Sequence, residues 1–272
     1  MWRVARRLRR LLGFFQIENR RMEKRGCGEQ DTLGRNMGMP VLEVGVVVEA
    51  LKQEASEHLQ AFNARLLPTV EGERILGVKI PAIRRLAKLF LASCDVESYL
   101  AQLPHFYWEE QILHGELLNF HKSYEALLPH LERFLPYVAD WATCDTLDPK
   151  ALAQQPEKLL SQCKVWLGEA HEYTVRFAIV SCMKYFLKKN FHPEVLDWVV
   201  ALQRSEYYIQ MAQGWFLAEG LLWHPAEVMP YLSTEYLLPE VLNKALQKAC
   251  ESRRCLEDDK VRFRAMKIKI EK

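Results

Sequence analysis

The sequence predicts an all-α protein, a HEAT-like helical-repeat solenoid with a concave binding face. From residue 42 onward, apolar side chains recur at the spacing of an α-helix nearly everywhere. Several helical runs begin with Pro, which is tolerated in a first turn because its missing N–H needs no partner there. The links between runs are short, as in stacked helical pairs, although the runs do not repeat at one clean period. The concave side of such an array is usually its binding surface.

The predicted helices follow one another along the chain. "VGVVVEAL" is β-branched, but it runs directly into the first helical pattern, which Pro68 ends. The apolar residues of that first helix share one face, and they are Leu51, Ala55, Leu59, Phe62 and Leu66. Pro81 starts the second helix, and "YWEEQILHGELLNFH" is the third. The later helical runs are "EALLPHLERFLPYV", "PEKLLSQCKVWL", "YTVRFAIVSCMKYFLKK", "PEVLDWVVALQ", "EYYIQMAQGWFLAEGLL", "PAEVMPYL" and "PEVLNKALQKAC".

Residues 1–40 are interpreted as a basic, disordered N-terminal extension, followed by one domain over residues 41–272. The opening is Arg-rich, but its apolar core "LLGFF" is too short for a secretion signal. A mitochondrial-type presequence or a membrane-surface helix would also fit these residues. We favour a start at Met22, Met37 or Met39, which would leave the upstream residues without a selected structure. "GCGEQDTLGRNMGMP" has the composition of a linker.

The composition is that of a globular protein in a reducing compartment. Hydrophobic residues make up 49% of the chain, and no apolar run approaches the roughly 18 residues of a membrane helix. The seven cysteines are scattered, with no CxxC pair, which argues against a disulfide framework or a zinc cluster. We therefore expect a cytoplasmic protein of the bacterial type. Cys144 adjoins Asp145, but a small core residue is favoured over a nucleophile because no His lies close in sequence.

The charge is distributed unevenly along the chain. Residues 1–40 hold ten Lys or Arg against four acids, and residues 244–272 hold ten against five. Because the net charge is only +2, the middle of the chain must be acidic. A nucleic-acid-binding protein usually carries a basic stripe, so any such stripe must be local here.

Four stretches stand in a distinctive order: "ILGVKIPAIRRLAK", "WATCD", "EYTVRFAIV" and "EYYIQMAQGWFLAEG", the last followed by "LNKALQKACESRR". Together they resemble the AlkD-type DNA alkylation repair proteins, which are HEAT-like-repeat DNA glycosylases, over about residues 45–255. The resemblance implies excision of N3- and N7-alkylated purines from double-stranded DNA without base flipping and without a metal or cofactor. It also implies a catalytic quartet of Trp141, Asp145, Arg176 and Trp215.

The chemistry of the quartet also makes sense by itself. Breaking the N-glycosidic bond to a cationic base leaves an oxocarbenium-like sugar, which a carboxylate such as that of Asp145 can stabilise. Indole faces attract cations, and an Arg can fix a carboxylate or hold a phosphate.

Each member of the quartet also has a structural interpretation. Trp141 and Trp215 could be core indoles, although Gly214 would let another helix or a ligand approach closely. Asp145 by itself could be a surface acid or a helix cap. Arg176 lies inside the apolar run "YTVRFAIVSCMKYF", where a charge needs a partner, and Asp145 is the expected one.

Eight basic residues are the candidate DNA phosphate contacts: Lys79, Arg84, Arg85, Lys88, Lys244, Lys248, Arg253 and Arg254. For Arg84 and Arg85, a solvated helix face is the alternative. As a DNA-binding protein, the chain is expected to be a nucleoid-associated monomer. Two positions depart from the family pattern. Ala218 stands where an Arg is often found, and Ile80 stands where a polar phosphate-binding residue often precedes the Pro.

Glu109 and Glu110 are interpreted as structural, and His114, His121 and His130 fit no metal-ligand spacing. The alternative function is a non-catalytic HEAT-like module that binds DNA or protein, since solenoids bind more often than they catalyse. The quartet favours the enzyme, because a scaffold has no need of an Asp and an Arg that face each other.

Overall fold

The computed structural model describes residues 40–188 and 190–270, and it confirms the all-α class. Apart from Pro40, the predicted N-terminal extension lies outside the described residues. Within them the chain forms no β-strand, only one isolated bridge between Val41 and Asp95. The fourteen α-helices of the described residues are α1 Val44–Lys52, α2 Glu57–Leu66, α3 Ile80–Ser93, α4 Glu97–Leu100, α5 Trp108–Leu118, α6 Tyr124–Phe134, α7 Trp141–Thr146, α8 Pro156–Leu167, α9 Glu172–Phe186, α10 Pro193–Val200, α11 Tyr207–Trp223, α12 Pro225–Val228, α13 Pro239–Glu251 and α14 Glu257–Ala265.

The chain divides into two compact units, the first ending at Phe120 and the second beginning at His121. The first contains α1 to α5, and the second contains α6 to α14. The predicted organisation, an extension over 1–40 followed by one domain over 41–272, stays a prediction, as does the concave binding face. None of the helices in the described ranges is long and apolar enough to cross a membrane.

Side-chain contacts reveal a repeat that the sequence does not show. In the first unit, Arg74 donates to the carbonyl of Phe106, 32 residues on, and Arg84 reaches Glu116, again 32 residues on. In the second unit, Lys158 reaches back 33 residues to Glu125. A recurring separation of this size is that of successive helical pairs in a stacked array, in which each pair contacts its neighbours.

The first predicted helix is in fact two helices. Helix α1 ends at Lys52 and α2 begins at Glu57; between them Ser56 is extended, and its N–H donates to the carbonyl of Gly77 at 3.0 Å. The β-branched stretch before the break is helical, as the prediction favoured. The predicted apolar face of α2 is not buried, since Phe62 is 43% and Leu66 45% exposed.

Glu109 fixes the loop that precedes α3. Its carboxylate is fully buried and accepts hydrogen bonds from the N–H groups of Gly77 at 2.7 Å, Leu76 at 2.9 Å and Val78 at 3.1 Å. Gly77 has a φ of +83°, and a Cβ there would lie 2.3 Å from the carbonyl oxygen of Ser56. This geometry supports the structural interpretation of Glu109 and explains why the loop requires a glycine.

The nearby His105 makes the stability of the protein pH-dependent. His105 is buried, its Nε2 lies 2.8 Å from Nδ1 of His114, and its Nδ1 lies 3.9 Å from the Glu110 carboxylate. Burial lowers the pKa of His105 to about 4. The unfolded chain therefore binds this proton more readily, so stability falls as the pH drops from about 6.5 towards 4.

We expect His105 to remove about 2 kcal/mol of stability between pH 7 and pH 5. The measurement is urea unfolding of the protein and of His105→Gln at both pH values. The variant should lose correspondingly less stability on acidification, whereas the exposed His58→Gln should follow the parent protein. Parallel pH profiles for the parent and His105→Gln would contradict the assignment.

In the second unit, long helices pack in sequence order. Helix α9 lies between α8 and α11, and α11 lies between α9 and α13. The central helices α9 and α11 are buried over most of their length, which explains their long apolar runs. These two helices carry Arg176 and Trp215, two of the four residues of the predicted quartet.

Candidate active site

The stretch "DWATCDTLD" forms the short helix α7, capped by its own first residue. Asp140 is buried, and its carboxylate accepts from the N–H of Thr143 at 2.8 Å and from the Thr143 hydroxyl at 2.6 Å. Trp141 and Asp145 lie one turn apart and so share a face of this helix. Both are half-buried. The helix cap is therefore Asp140, which leaves Asp145 available for another contact.

Asp145 and Arg176 form the bidentate pair that the sequence predicted. The guanidinium Nε donates to Oδ1 at 2.9 Å, and Nη2 donates to Oδ2 at 2.6 Å. The Arg176 side chain is 7% exposed, whereas that of Asp145 is 22% exposed. Burial acts to lower the pKa of Arg176, but the Asp145 carboxylate outweighs it and holds the pKa above its ordinary value. The pair is charged, with the carboxylate as its solvent-facing member.

Arg176 is also tied to α11, together with Glu172 one turn earlier on α9. Arg176 Nη1 donates to the backbone carbonyl of Tyr208 at 2.9 Å, and the backbone N–H of the same Tyr208 donates to the Glu172 carboxylate at 2.9 Å. The Tyr208 ring packs against Tyr173 with centroids 5.5 Å apart. Tyr208 is therefore held at both backbone groups, and α7, α9 and α11 are joined around Arg176.

Trp215 lies on α11, two turns beyond Tyr208, and it is half-buried. The ammonium of Lys248 lies 5.8 Å from the centroid of its ring. Gly214 admits the side chain of Lys244, since a Cβ at Gly214 would lie 2.7 Å from Lys244 Cγ. The indole face of Trp215 is therefore accessible to a cation, and Gly214 serves the close approach of α13.

The predicted phosphate contacts of the first unit are exposed side chains on or just before α3. Two of them are already paired: Arg84 Nε lies 2.7 Å from Glu116, and Arg85 Nη2 lies 3.4 Å from Glu54. The ammonium of Lys88 lies 6.0 Å from the ring centroid of Phe120. Lys79 caps the helix that starts at Ile80. These acidic partners could not be predicted from the sequence pattern, because they lie about one repeat away in the chain.

The predicted contacts of the second unit differ in exposure. Lys244 and Lys248 are half-buried against α11, whereas Arg253 and Arg254 are exposed. Arg254 Nη2 donates to Glu219 at 2.9 Å, a partner that the sequence pattern missed. Ala218, a departure from the family pattern, is buried on the packed side of α11.

Cys144 is a core residue, as predicted. It is fully buried, and its thiol donates to the carbonyl of Tyr173 at 3.5 Å. Burial raises its pKa well above the ordinary value, which disfavours the thiolate that a nucleophile requires. Among residues 40–188 and 190–270, no group of three or more His, Cys, Asp or Glu side chains is placed to hold a metal ion.

Two comparisons bear on the identity of the chain. Residues 47–251 match the family model described as DNA alkylation repair enzyme. A search of curated proteins gives no match. The matched range covers most of the chain, and it contains α7, α9 and α11 with all four residues of the predicted quartet. The chain therefore belongs to the DNA alkylation repair enzyme family, which gives it a role in DNA repair with DNA as its partner.

Proposed function

We propose that the protein is a DNA-alkylpurine N-glycosylase that acts as a monomer on double-stranded DNA carrying N3- or N7-alkylated purines, without flipping the base. The observation that carries this proposal is the Asp145–Arg176 pair, in which a buried Arg fixes a carboxylate that keeps part of its surface accessible. A carboxylate held in this way is a preorganised stabiliser of positive charge.

In the proposed reaction the bond between C1′ of the sugar and the purine nitrogen breaks, and the base takes both electrons. The base leaves neutral because alkylation had made it cationic. The Asp145 carboxylate stabilises the positive charge that develops on the sugar. Water then forms the new C1′–O bond and gives its proton to Asp145. Each carboxylate oxygen can accept a second hydrogen bond, so the Arg176 contacts leave room for this role.

Trp141 and Trp215 would provide faces for the cationic nucleotide. A cation over an indole gains about 0.5–2 kcal/mol, depending on how far it is desolvated. Lys248 already occupies this position over Trp215, at 5.8 Å. We propose that Lys248 moves from the ring to a phosphate when DNA binds. Lys79, Arg84, Arg85, Lys88, Lys244, Arg253 and Arg254 remain the other proposed phosphate contacts.

The direct test is base release from methylated duplex DNA by the purified protein. We expect free 7-methylguanine or 3-methyladenine to appear in proportion to the enzyme, with an abasic site left in the strand. Unmethylated DNA of the same sequence is the control. Binding of methylated DNA with no release above the spontaneous rate would favour the non-catalytic binding module instead.

Glu172 is expected to position Arg176 through Tyr208. Glu172→Ala removes the acceptor of the Tyr208 N–H, and this loosens the backbone segment whose carbonyl accepts from Arg176. We expect single-turnover base release to fall roughly 10-fold, since small misplacements of catalytic groups are costly. Affinity for undamaged DNA should not change.

Two further variants separate positioning from stability. Glu172→Gln keeps an acceptor for the Tyr208 N–H and should restore most of the rate. Glu169→Ala removes an exposed carboxylate from the loop just before α9 and should have no effect. If Glu172→Ala releases base at the parental rate per folded molecule, Glu172 does not position the site.

A further inference from the structure

After its exposed first residue, Tyr207, helix α11 is buried at most positions, and nearly all of its half-buried or exposed side chains lie on one line. The line runs through Tyr208, Met211, Trp215, Glu219 and Trp223, spaced three or four residues apart, so these residues share one face. At 1.5 Å per residue, the line is about 22 Å long from Tyr208 to Trp223. Two of its five members are indoles, and this surface contains the proposed catalytic Trp215.

The far end of this line carries two cations on one indole. Trp223 is 42% exposed, the guanidinium of Arg254 lies 5.4 Å from its ring centroid, and the ammonium of Lys188 lies 5.9 Å from it. We name Lys188, Trp223 and Arg254 the distal cluster. Its chain segments are held together, since His224 Nε2 lies 3.2 Å from the carbonyl oxygen of Lys188. This contact holds the segment that carries Lys188 next to the end of α11, where Trp223 lies.

Both cations of the distal cluster share one carboxylate. Glu219, one turn before Trp223, has Oε2 at 2.9 Å from Arg254 Nη2 and at 3.8 Å from Lys188 Nζ. One negative charge between two positive charges leaves the cluster with a net positive charge. An ammonium has three N–H donors and a guanidinium has five, so each cation retains donors for another acceptor.

We propose that the distal cluster binds the phosphate backbone of duplex DNA, as an extension of the active-site surface along α11. Trp223 lies eight residues from Trp215, or about 12 Å along the helix. With α11 placed parallel to one DNA strand, which rises 3.4 Å per nucleotide, the contacted phosphates would lie about three to four nucleotides from the excised base. This spacing in nucleotides rests on the proposed function, because it is counted from the excised base. Lys188 and Trp223 thereby become DNA-contact residues in addition to those predicted from the sequence.

The test is equilibrium binding of an undamaged duplex of about 25 base pairs, measured by fluorescence anisotropy over a range of salt concentrations. Lys188→Ala should weaken binding several-fold and reduce the slope of log K against log salt by roughly 0.9, the value for one phosphate contact. Glu219→Gln removes the shared negative charge, so it should strengthen binding. A purely structural role for Glu219 gives the opposite sign, with a lower melting temperature and weaker binding.

Lys158 provides a matched control in the same unit. Its ammonium also pairs with a carboxylate, Glu125 at 2.9 Å, and lies 6.0 Å from an aromatic ring, that of Tyr124. Lys158→Ala therefore removes the same kind of contact without touching α11, and binding and slope should not change. If Lys188→Ala and Lys158→Ala behave alike, the proposal is wrong.

Failure of this inference and failure of the proposed function can be told apart. If the protein releases alkylated bases but Lys188→Ala binds with parental affinity and slope, the distal cluster is not a DNA contact and the glycosylase stands. If no base is released but Lys188→Ala weakens binding as described, the DNA surface stands and the glycosylase fails. Equal melting temperatures of the variants exclude misfolding as the cause of weaker binding.

Discussion

Asp145→Asn should lower the single-turnover rate of base release about 100- to 1000-fold. The substitution keeps the shape of the side chain and one acceptor oxygen, but it removes the charge that faces the developing sugar cation. Loss of a preorganised electrostatic stabiliser has an effect of this size. Affinity for duplex DNA should stay the same or increase, because the substitution removes a negative charge from the surface proposed to face the phosphates. The measurements are base release from methylated DNA and anisotropy with an undamaged duplex.

A scaffold role for Asp145 gives a different pattern. Arg176 is almost completely buried, and removal of its charged partner would leave that charge uncompensated. The cost of breaking such a pair is about 3–5 kcal/mol when it is fully buried, and less here because the Asp145 carboxylate is partly exposed. A large fall in melting temperature with parental release per folded molecule would therefore show that "DWATCDTLD" is only scaffold.

Asp148→Asn is the matched control for this experiment. Asp148 lies in the same stretch, it is half-exposed, and it pairs with Lys150 and with Lys184 at 3.6 Å. Its loss removes one carboxylate of similar exposure without disturbing Arg176. We expect release and affinity to stay close to those of the parent protein.

Glu109→Ala should reduce the free energy of unfolding by about 3–5 kcal/mol. The substitution leaves three backbone N–H groups in the loop before α3 without their acceptor, and each unsatisfied buried donor costs about 1–3 kcal/mol. The three costs do not simply add, because the loop can relax towards water. Urea unfolding followed by circular dichroism measures the change.

The loss of stability is expected to be large because Glu109 is buried, and an exposed acid provides the control. Glu73 lies in the same region at the surface, so Glu73→Ala should change stability by no more than about 0.5 kcal/mol. Glu109→Gln keeps one acceptor but presents an amide donor where a second acceptor is required. Its loss of stability should therefore lie between those of Glu73→Ala and Glu109→Ala. Equal stability of Glu109→Ala and Glu73→Ala would show that the loop does not depend on this carboxylate.

The sequence by itself determined the class of the fold and the main pair of the candidate site. Apolar spacing reports which residues of a helix are buried, and this local property predicted the helices around Arg176 correctly. A charge inside an apolar run requires a partner, so the sequence predicted an acidic partner for Arg176, and the structure places Asp145, 31 residues away, in that position. The resemblance of the ordered motifs selected Asp145 from the other acids of the chain.

Only the tertiary structure decided the partners of the remaining side chains and the repeat itself. The backbone carbonyl of Tyr208 accepts from Arg176, and Glu172 accepts from the N–H of the same Tyr208. Glu116 pairs with Arg84, and Glu219 joins Lys188 to Arg254. Many of these contacts join residues about 31 to 36 apart, a period set by the stacking of helices rather than by recurring residues. Helical periodicity carries no information about which neighbouring helix a surface side chain meets, because that depends on how whole helices pack. For the same reason, the sequence predicted one helix where the structure has two, with Ser56 between them bonded to Gly77.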